Sequence, residues 1–81
     1  MQVHVLLFAA LREAAGTSRL TLTLARDAHG TAVIDELARR LPDRRALLDR
    51  SALAVNEEYS AGDVALSDGD TVAVIPPVSG G

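Results

Sequence analysis

Asp68-Gly69-Asp70-Thr71-Val72-Ala73-Val74-Ile75-Pro76-Pro77-Val78-Ser79-Gly80-Gly81 closes the 81-residue sequence, and the rest of the chain is best understood from it. Asp68-Gly69-Asp70 is a tight-turn signature. Thr71 to Ile75 is then almost wholly apolar and rich in β-branched residues, the pattern of a strand inside a sheet. Pro76 and Pro77 have no N–H to donate and both fix φ, so they end strand pairing and send the chain out as a stiff, extended segment. Ser79-Gly80-Gly81 follows. This reading divides the chain into a folded domain over 1–75 and an extended tail over 76–81.

Working outward, Val3, Val5 and Leu7 alternate with His4, Leu6 and Phe8, which predicts a first strand buried on at least one face and central in the sheet. Ala9 to Ala15 reads as a helical turn stopped by Gly16. Leu20, Leu22 and Leu24 alternate with Thr21 and Thr23, a strand with one buried face that pairs with the first across a long, ordered connection. After the break at Asp27 to Gly30, Thr31 is the expected N-cap of a helix. Ile34, Leu37, Ala38 and Leu41 form its apolar stripe, with Asp35 and Glu36 near its positive end and Arg39 and Arg40 near its negative end. Pro42 stops it. Arg44 to Asp49 reads as a short turn that lays Leu47 and Leu48 over the core. Leu53, Ala54 and Val55 form a short strand that reverses at Asn56-Glu57-Glu58. Tyr59, Val64 and Leu66 are expected to supply a further short strand and cover.

The order is strand, strand, helix, strand, short strand, strand. It defines an α+β protein of β-grasp (ubiquitin-like) type, a mixed sheet with one main helix packed on one face. One helix cannot cover a whole sheet. The face carrying Leu6 and Phe8 is therefore expected to stay partly exposed, as partner surfaces do; the alternative is that Phe8 completes the core.

Composition narrows the function. The chain has no cysteine, which removes disulfides, thiolate nucleophiles and the usual structural zinc sites, and fits a cytoplasmic protein. Val3 to Leu11 lacks a basic leader and is closed by Arg12-Glu13, so it reads as a strand and not as a signal peptide. No stretch approaches the roughly 20 apolar residues needed to span a membrane. A net charge of −3, dispersed arginines and only two aromatics, Phe8 and Tyr59, argue against nucleic-acid binding. All eight basic residues are arginine, so no side-chain amine is present.

Side-chain catalysis finds little support. His4 and His29 are far apart with no clustered ligands at metal spacing, so no metal is expected. Glu57-Glu58 and the two aspartates of the Asp68-Gly69-Asp70 turn read as hydrated turn acids. There is no phosphate-binding glycine loop or nucleophile motif. The tail is different. It projects the Gly81 carboxylate on about five residues reaching about 16 Å, and Gly80-Gly81 could thread a narrow channel because glycine allows close backbone approach. The alternative is an unstructured end without a role. A carboxylate is a poor electrophile, so using it requires activation by another enzyme, typically as an acyl-adenylate made with ATP. Sulfur can then replace oxygen, giving a thiocarboxylate nucleophile carried to a second active site.

Leu7-Phe8-Ala9-Ala10-Leu11-Arg12-Glu13, Ala54-Val55-Asn56, Asp68-Gly69-Asp70 and Pro76-Pro77-Val78-Ser79-Gly80-Gly81 together resemble the MoaD family, the small subunits of molybdopterin synthase. The resemblance covers essentially the whole chain, and the final hexapeptide is its most specific part. It implies a ubiquitin-like sulfur carrier in molybdenum-cofactor biosynthesis. An E1-like enzyme, MoeB, would adenylate Gly81 using ATP, a sulfur donor protein would convert it to the thiocarboxylate, and the tail would enter the large subunit, MoaE. There sulfur would pass to cyclic pyranopterin monophosphate, in a heterotetramer whose active site belongs to the large subunit. By the same resemblance Phe8 and Ile75 are apolar interface contacts, Arg12 is a polar one, and Pro76, Pro77, Val78, Ser79, Gly80 and Gly81 form the inserted tail. Ile75 stands where many relatives carry an aromatic. No cofactor bound by this chain itself is implied. Two neighbouring readings share the fold and the Gly-Gly end: a sulfur carrier for thiamine, tRNA thiolation or amino-acid synthesis, and a protein-tagging or binding module with no sulfur role.

Overall fold

The computed structural model describes residues 1–78. Strand β1 (Gln2–Leu7) is followed by helix α1 (Ala9–Ala15), β2 (Arg19–Thr23) and helix α2 (Gly30–Arg40). A single 3-10 turn at Pro42–Arg44 leads into α3 (Arg45–Asp49), then β3 (Ala52–Val55), β4 (Glu58–Ser60) and β5 (Thr71–Ile75). The five strands form one mixed sheet in the order β2-β1-β5-β3-β4. The central β1–β5 pair is parallel, and β1–β2, β3–β4 and β3–β5 are antiparallel. Joining the first and last strands at the centre lets the apolar runs at both ends of the sequence share the most protected position.

Alternation along the strands separates two faces. Val3, Val5, Leu7, Leu22, Leu53, Val72 and Val74 turn to one side and are buried against Val33, Ile34, Leu37 and Ala38 of α2, with Leu11, Leu48 and Leu66 closing the edges. Full burial of each Leu or Val contributes about 1.5–3 kcal/mol, so this one layer dominates stability. The turn expected at Asp68-Gly69-Asp70 is present, with Gly69 at φ 87°, on the left-handed side that glycine adopts without steric cost.

Three local expectations are corrected. Thr31 is not the N-cap of α2: that position is His29, and no side-chain cap is made. The free N–H groups of Gly30 and Thr31 instead donate to the carbonyls of Val64 and Gly62, both at 2.9 Å. The loop carbonyls do the work of a cap, and they approach so closely that a Cβ on Gly30 would lie 2.9 Å from Leu53 Cδ1 and 3.2 Å from the Gly62 carbonyl oxygen. Asp35 and Glu36 lie beyond the first turn, which holds no acid. Glu36 pairs with Arg39 at 2.8 Å and Arg40 at 3.4 Å along the helix. Finally, β4 stops at Ser60. Leu66 is buried cover, as expected, whereas Tyr59 is 77% exposed and covers nothing.

Candidate partner-docking face and C-terminal tail

Among the described residues no helix lies over the second face of the sheet. Its strand residues include Leu6 on β1, Ala73 on β5, Ala54 on β3 and Tyr59 on β4, which are successive register partners across the sheet. Ala73 and Ala54 stand directly opposite one another. Because two methyl groups fill less height than the side chains around them, the face dips there. The result is a shallow hollow of about 440 Å³ lined by Leu6, Phe8, Ala54, Ala73 and Thr71, with Asn56 and Glu57 at one side.

Phe8 sits at the edge of this hollow. It follows β1 with extended backbone (φ −127°, ψ 154°) and precedes α1 as its N-cap. Its neighbours Leu7 and Leu11 are buried, but Phe8 itself is 40% exposed. Phe8 therefore belongs to the open face and does not complete the core. Arg12, on the exposed side of α1, forms no ion pair among the described residues, so its guanidinium is available to a partner.

Ile75, half-buried, ends β5 opposite Ala52. Pro76 is half-buried, and Pro77 and Val78 are exposed, Val78 by 95%. The chain thus turns away from the body at the prolines. Ser79, Gly80 and Gly81, named above as tail residues, lie outside the described residues.

The rim of the open face is held by hydrogen bonds that the sequence did not reveal. Asn56, in the β3–β4 turn, donates from Nδ2 to Asp70 Oδ1 at 3.0 Å and accepts from the Thr71 N–H through Oδ1 at 3.0 Å. Asp70 Oδ2 accepts from the Ser67 N–H, and Asp68 Oδ1 from the Gln2 N–H, both at 2.7 Å. Both aspartates, read from sequence as hydrated turn acids, are therefore also structural acceptors that tie the last turn to β1 and to the β3–β4 turn. Tyr59 was missed as a surface residue. Its place on the open face follows from the two-residue turn at Asn56 and Glu57, which sets it opposite Ala54.

A second hollow, of about 410 Å³, lies on the helix side between α2, α3 and β3. Its charged groups pair with one another: Arg45 lies 3.1 Å from Asp49 and 3.2 Å from Asp35. Asp49 first, and Asp35 with it, raise the Arg45 pKa above its ordinary value. The two histidines are separate; His4 Nδ1 lies 3.4 Å from Thr21 Oγ1, and His29 flanks α2. Among the described residues no three metal-ligating side chains cluster, no charged or polar side chain is buried, and no helix is long and apolar enough to cross a membrane. The features that remain for function are an open apolar face and a departing tail.

These features define a ubiquitin-like β-grasp protein with one free sheet face. Residues 5–81 match the ThiS family, and the chain belongs to that family. It is 39% identical over 83 residues to the molybdopterin synthase sulfur carrier subunit of Chlamydomonas reinhardtii, with both chains covered completely. Among solved structures it is similar to a putative molybdopterin converting factor subunit 1 from Pyrococcus furiosus, at 31% identity and a TM-score of 0.86, over 96% of this chain and 99% of that one. It is also similar to SAMP1, small archaeal modifier protein 1, from Haloferax volcanii, at 29% identity and a TM-score of 0.87 with both chains fully covered.

Proposed function

We propose that this chain is a sulfur carrier subunit of molybdopterin synthase, which donates sulfur from a thiocarboxylate at Gly81 to cyclic pyranopterin monophosphate. Full-length similarity to sulfur carrier subunits supports the reading. The observation that carries it is geometric: Phe8, exposed at the edge of the uncovered apolar face, lies level with Ile75, from which the tail departs.

The carboxylate of Gly81 reacts with ATP on an E1-like activating enzyme, forming an acyl-adenylate and releasing pyrophosphate. A sulfur donor protein then supplies the sulfur that displaces AMP. The carrier next docks on the synthase large subunit through Phe8, Ile75 and the Ala54–Ala73 hollow, with Arg12 as a polar contact. Residues 76–81 enter the large subunit's active site, where the thiocarboxylate sulfur bonds to a carbon of the bound pterin and water then cleaves the resulting thioester, leaving the sulfur on the pterin and the carboxylate restored at Gly81. Docking makes this attack effectively intramolecular, which is the main rate advantage a carrier can supply. The catalytic groups belong to the large subunit, and the assembly is a heterotetramer acting in the cytoplasm.

A second reading, a modifier joined through Gly81 to amines of other proteins, draws on the likeness to SAMP1. One experiment separates the two. The chain is incubated with the activating enzyme, ATP and a sulfur donor, and the intact product is weighed. Replacement of one oxygen by one sulfur at the C-terminus supports the carrier; amine-linked conjugates with no such replacement support the modifier.

A further inference from the structure

Ala9 carries a positive φ of 49°, although it is neither glycine nor part of a hairpin turn. The other non-glycine residues of positive φ, Asn56 and Glu57, form the β3–β4 turn, where such angles are the rule. An L-residue with a Cβ is disfavoured on the left-handed side, and alanine has no polar side chain to compensate. Strain of this kind persists where the surroundings fix it, most often at functional sites.

The surroundings of Ala9 supply the reason. Leu7 and Leu11 must both reach the core, and they are 1% and 0% exposed. Strand alternation sends Phe8, between them, to the opposite face. The chain must then change from extended backbone at Phe8 to a helix that returns Leu11 to the core. The Phe8 carbonyl already accepts from the N–H groups of Leu11 at 3.1 Å and Arg12 at 3.4 Å, so the reversal is made within Ala9 and Ala10, and Ala9 takes the left-handed angle. Ala9 is itself exposed, and packing of its methyl group does not account for its conformation.

We infer that Ala9 is a positioning residue for partner docking: its left-handed backbone holds the Phe8 ring on the open face. The inference rests on the docking role proposed above for Phe8. A β-branched side chain at position 9 excludes the required angle, whereas glycine permits it.

The test uses the full chain and the large subunit of its cognate synthase. NMR of the native chain first reads the angle: a strong intraresidue HN–Hα contact at Ala9 is expected, and a weak one, marking negative φ, overturns the inference. Affinity for the large subunit is then measured by titration calorimetry for Ala9→Val, Phe8→Ala and the double variant. Ala9→Val should weaken binding by about tenfold or more, and should add less than about threefold once Phe8 is gone. Unchanged affinity in Ala9→Val, or an undiminished loss in the Phe8→Ala background, overturns it. Ala9→Gly, which accepts either sign of φ, should bind within about threefold of native; a tenfold loss contradicts the inference even if the valine variant does not fold. Native affinity in Phe8→Ala alone would instead refute the docking role on which the inference depends.

Discussion

Phe8 and Ile75 stand at the same level of the sheet: they follow Leu7 and Val74, the last paired residues of the parallel β1–β5 ladder, and Ile75 keeps its pairing with Ala52 of β3. Both belong to the alternating set that turns from the core, so the aromatic ring and the root of the tail share one end of the open face. A partner that grips Phe8 is thereby placed where the chain departs through Pro76 and Pro77. Only a parallel pairing of first and last strands gives this result; an antiparallel one would put the two residues at opposite ends.

Phe8→Ala should weaken binding to the large subunit by about 10- to 100-fold, the range for an aromatic anchor at the centre of an interface. Because Phe8 is already 40% exposed, the same change should cost less than the about 3–5 kcal/mol of a core Phe→Ala substitution. Calorimetry of binding and urea denaturation of the free chain check the two halves.

Ala73→Arg fills the hollow between Leu6 and Ala54 from its floor. It should lower large-subunit affinity by more than about tenfold, since a charge and added bulk would be driven into an apolar contact. Ala73 is half-buried on the uncovered face, so the melting temperature should change far less than the affinity does.

Asn56→Ala removes both side-chain hydrogen bonds to the last turn and leaves alanine at φ 50°. The combined cost should be about 1–3 kcal/mol. Asn56→Gly restores the backbone freedom without the hydrogen bonds, and should be the more stable of the two. Urea denaturation of the pair reads the difference; a more stable alanine variant would show that the left-handed angle is not maintained.

Gly80→Leu should leave the melting temperature and the activation of Gly81 unchanged in kind, yet block sulfur transfer through poor fit in the large subunit's channel. Turnover at the native rate would show that the channel does not need an unsubstituted backbone there.

Much of this was legible in the sequence because the signals were local. Alternation in Val3 to Leu7 and in Leu20 to Leu24, the stripe Ile34, Leu37, Ala38 and Leu41, whose last member caps α2, and the stop at Pro76-Pro77 each lie within a few residues. What was hidden depends on distant pairing. Thr31 reads as a cap because the carbonyls that replace it, on Gly62 and Val64, come from a loop some thirty residues on. Asp68 and Asp70 read as solvated because Gln2 and Asn56, which bind them, are brought up by the fold. Phe8 could be named as a surface residue but not separated from core, since alternation gives the face without saying whether anything covers it. Tyr59 was obscured because a three-residue strand carries almost no periodic signal, and the hollow because Ala54 and Ala73 meet only through the β3–β5 register.

The most direct measurement is a single-turnover assay. The chain, prepared as its Gly81 thiocarboxylate, is mixed with the large subunit and cyclic pyranopterin monophosphate, with no other sulfur source, and the sulfur gained by the pterin is quantified against carrier consumed. Sulfur should appear in the pterin in proportion to thiocarboxylate lost, and a chain lacking Gly81 should give none. Thiocarboxylate that persists beside the bound pterin, or transfer undiminished in the truncated chain, would contradict the account.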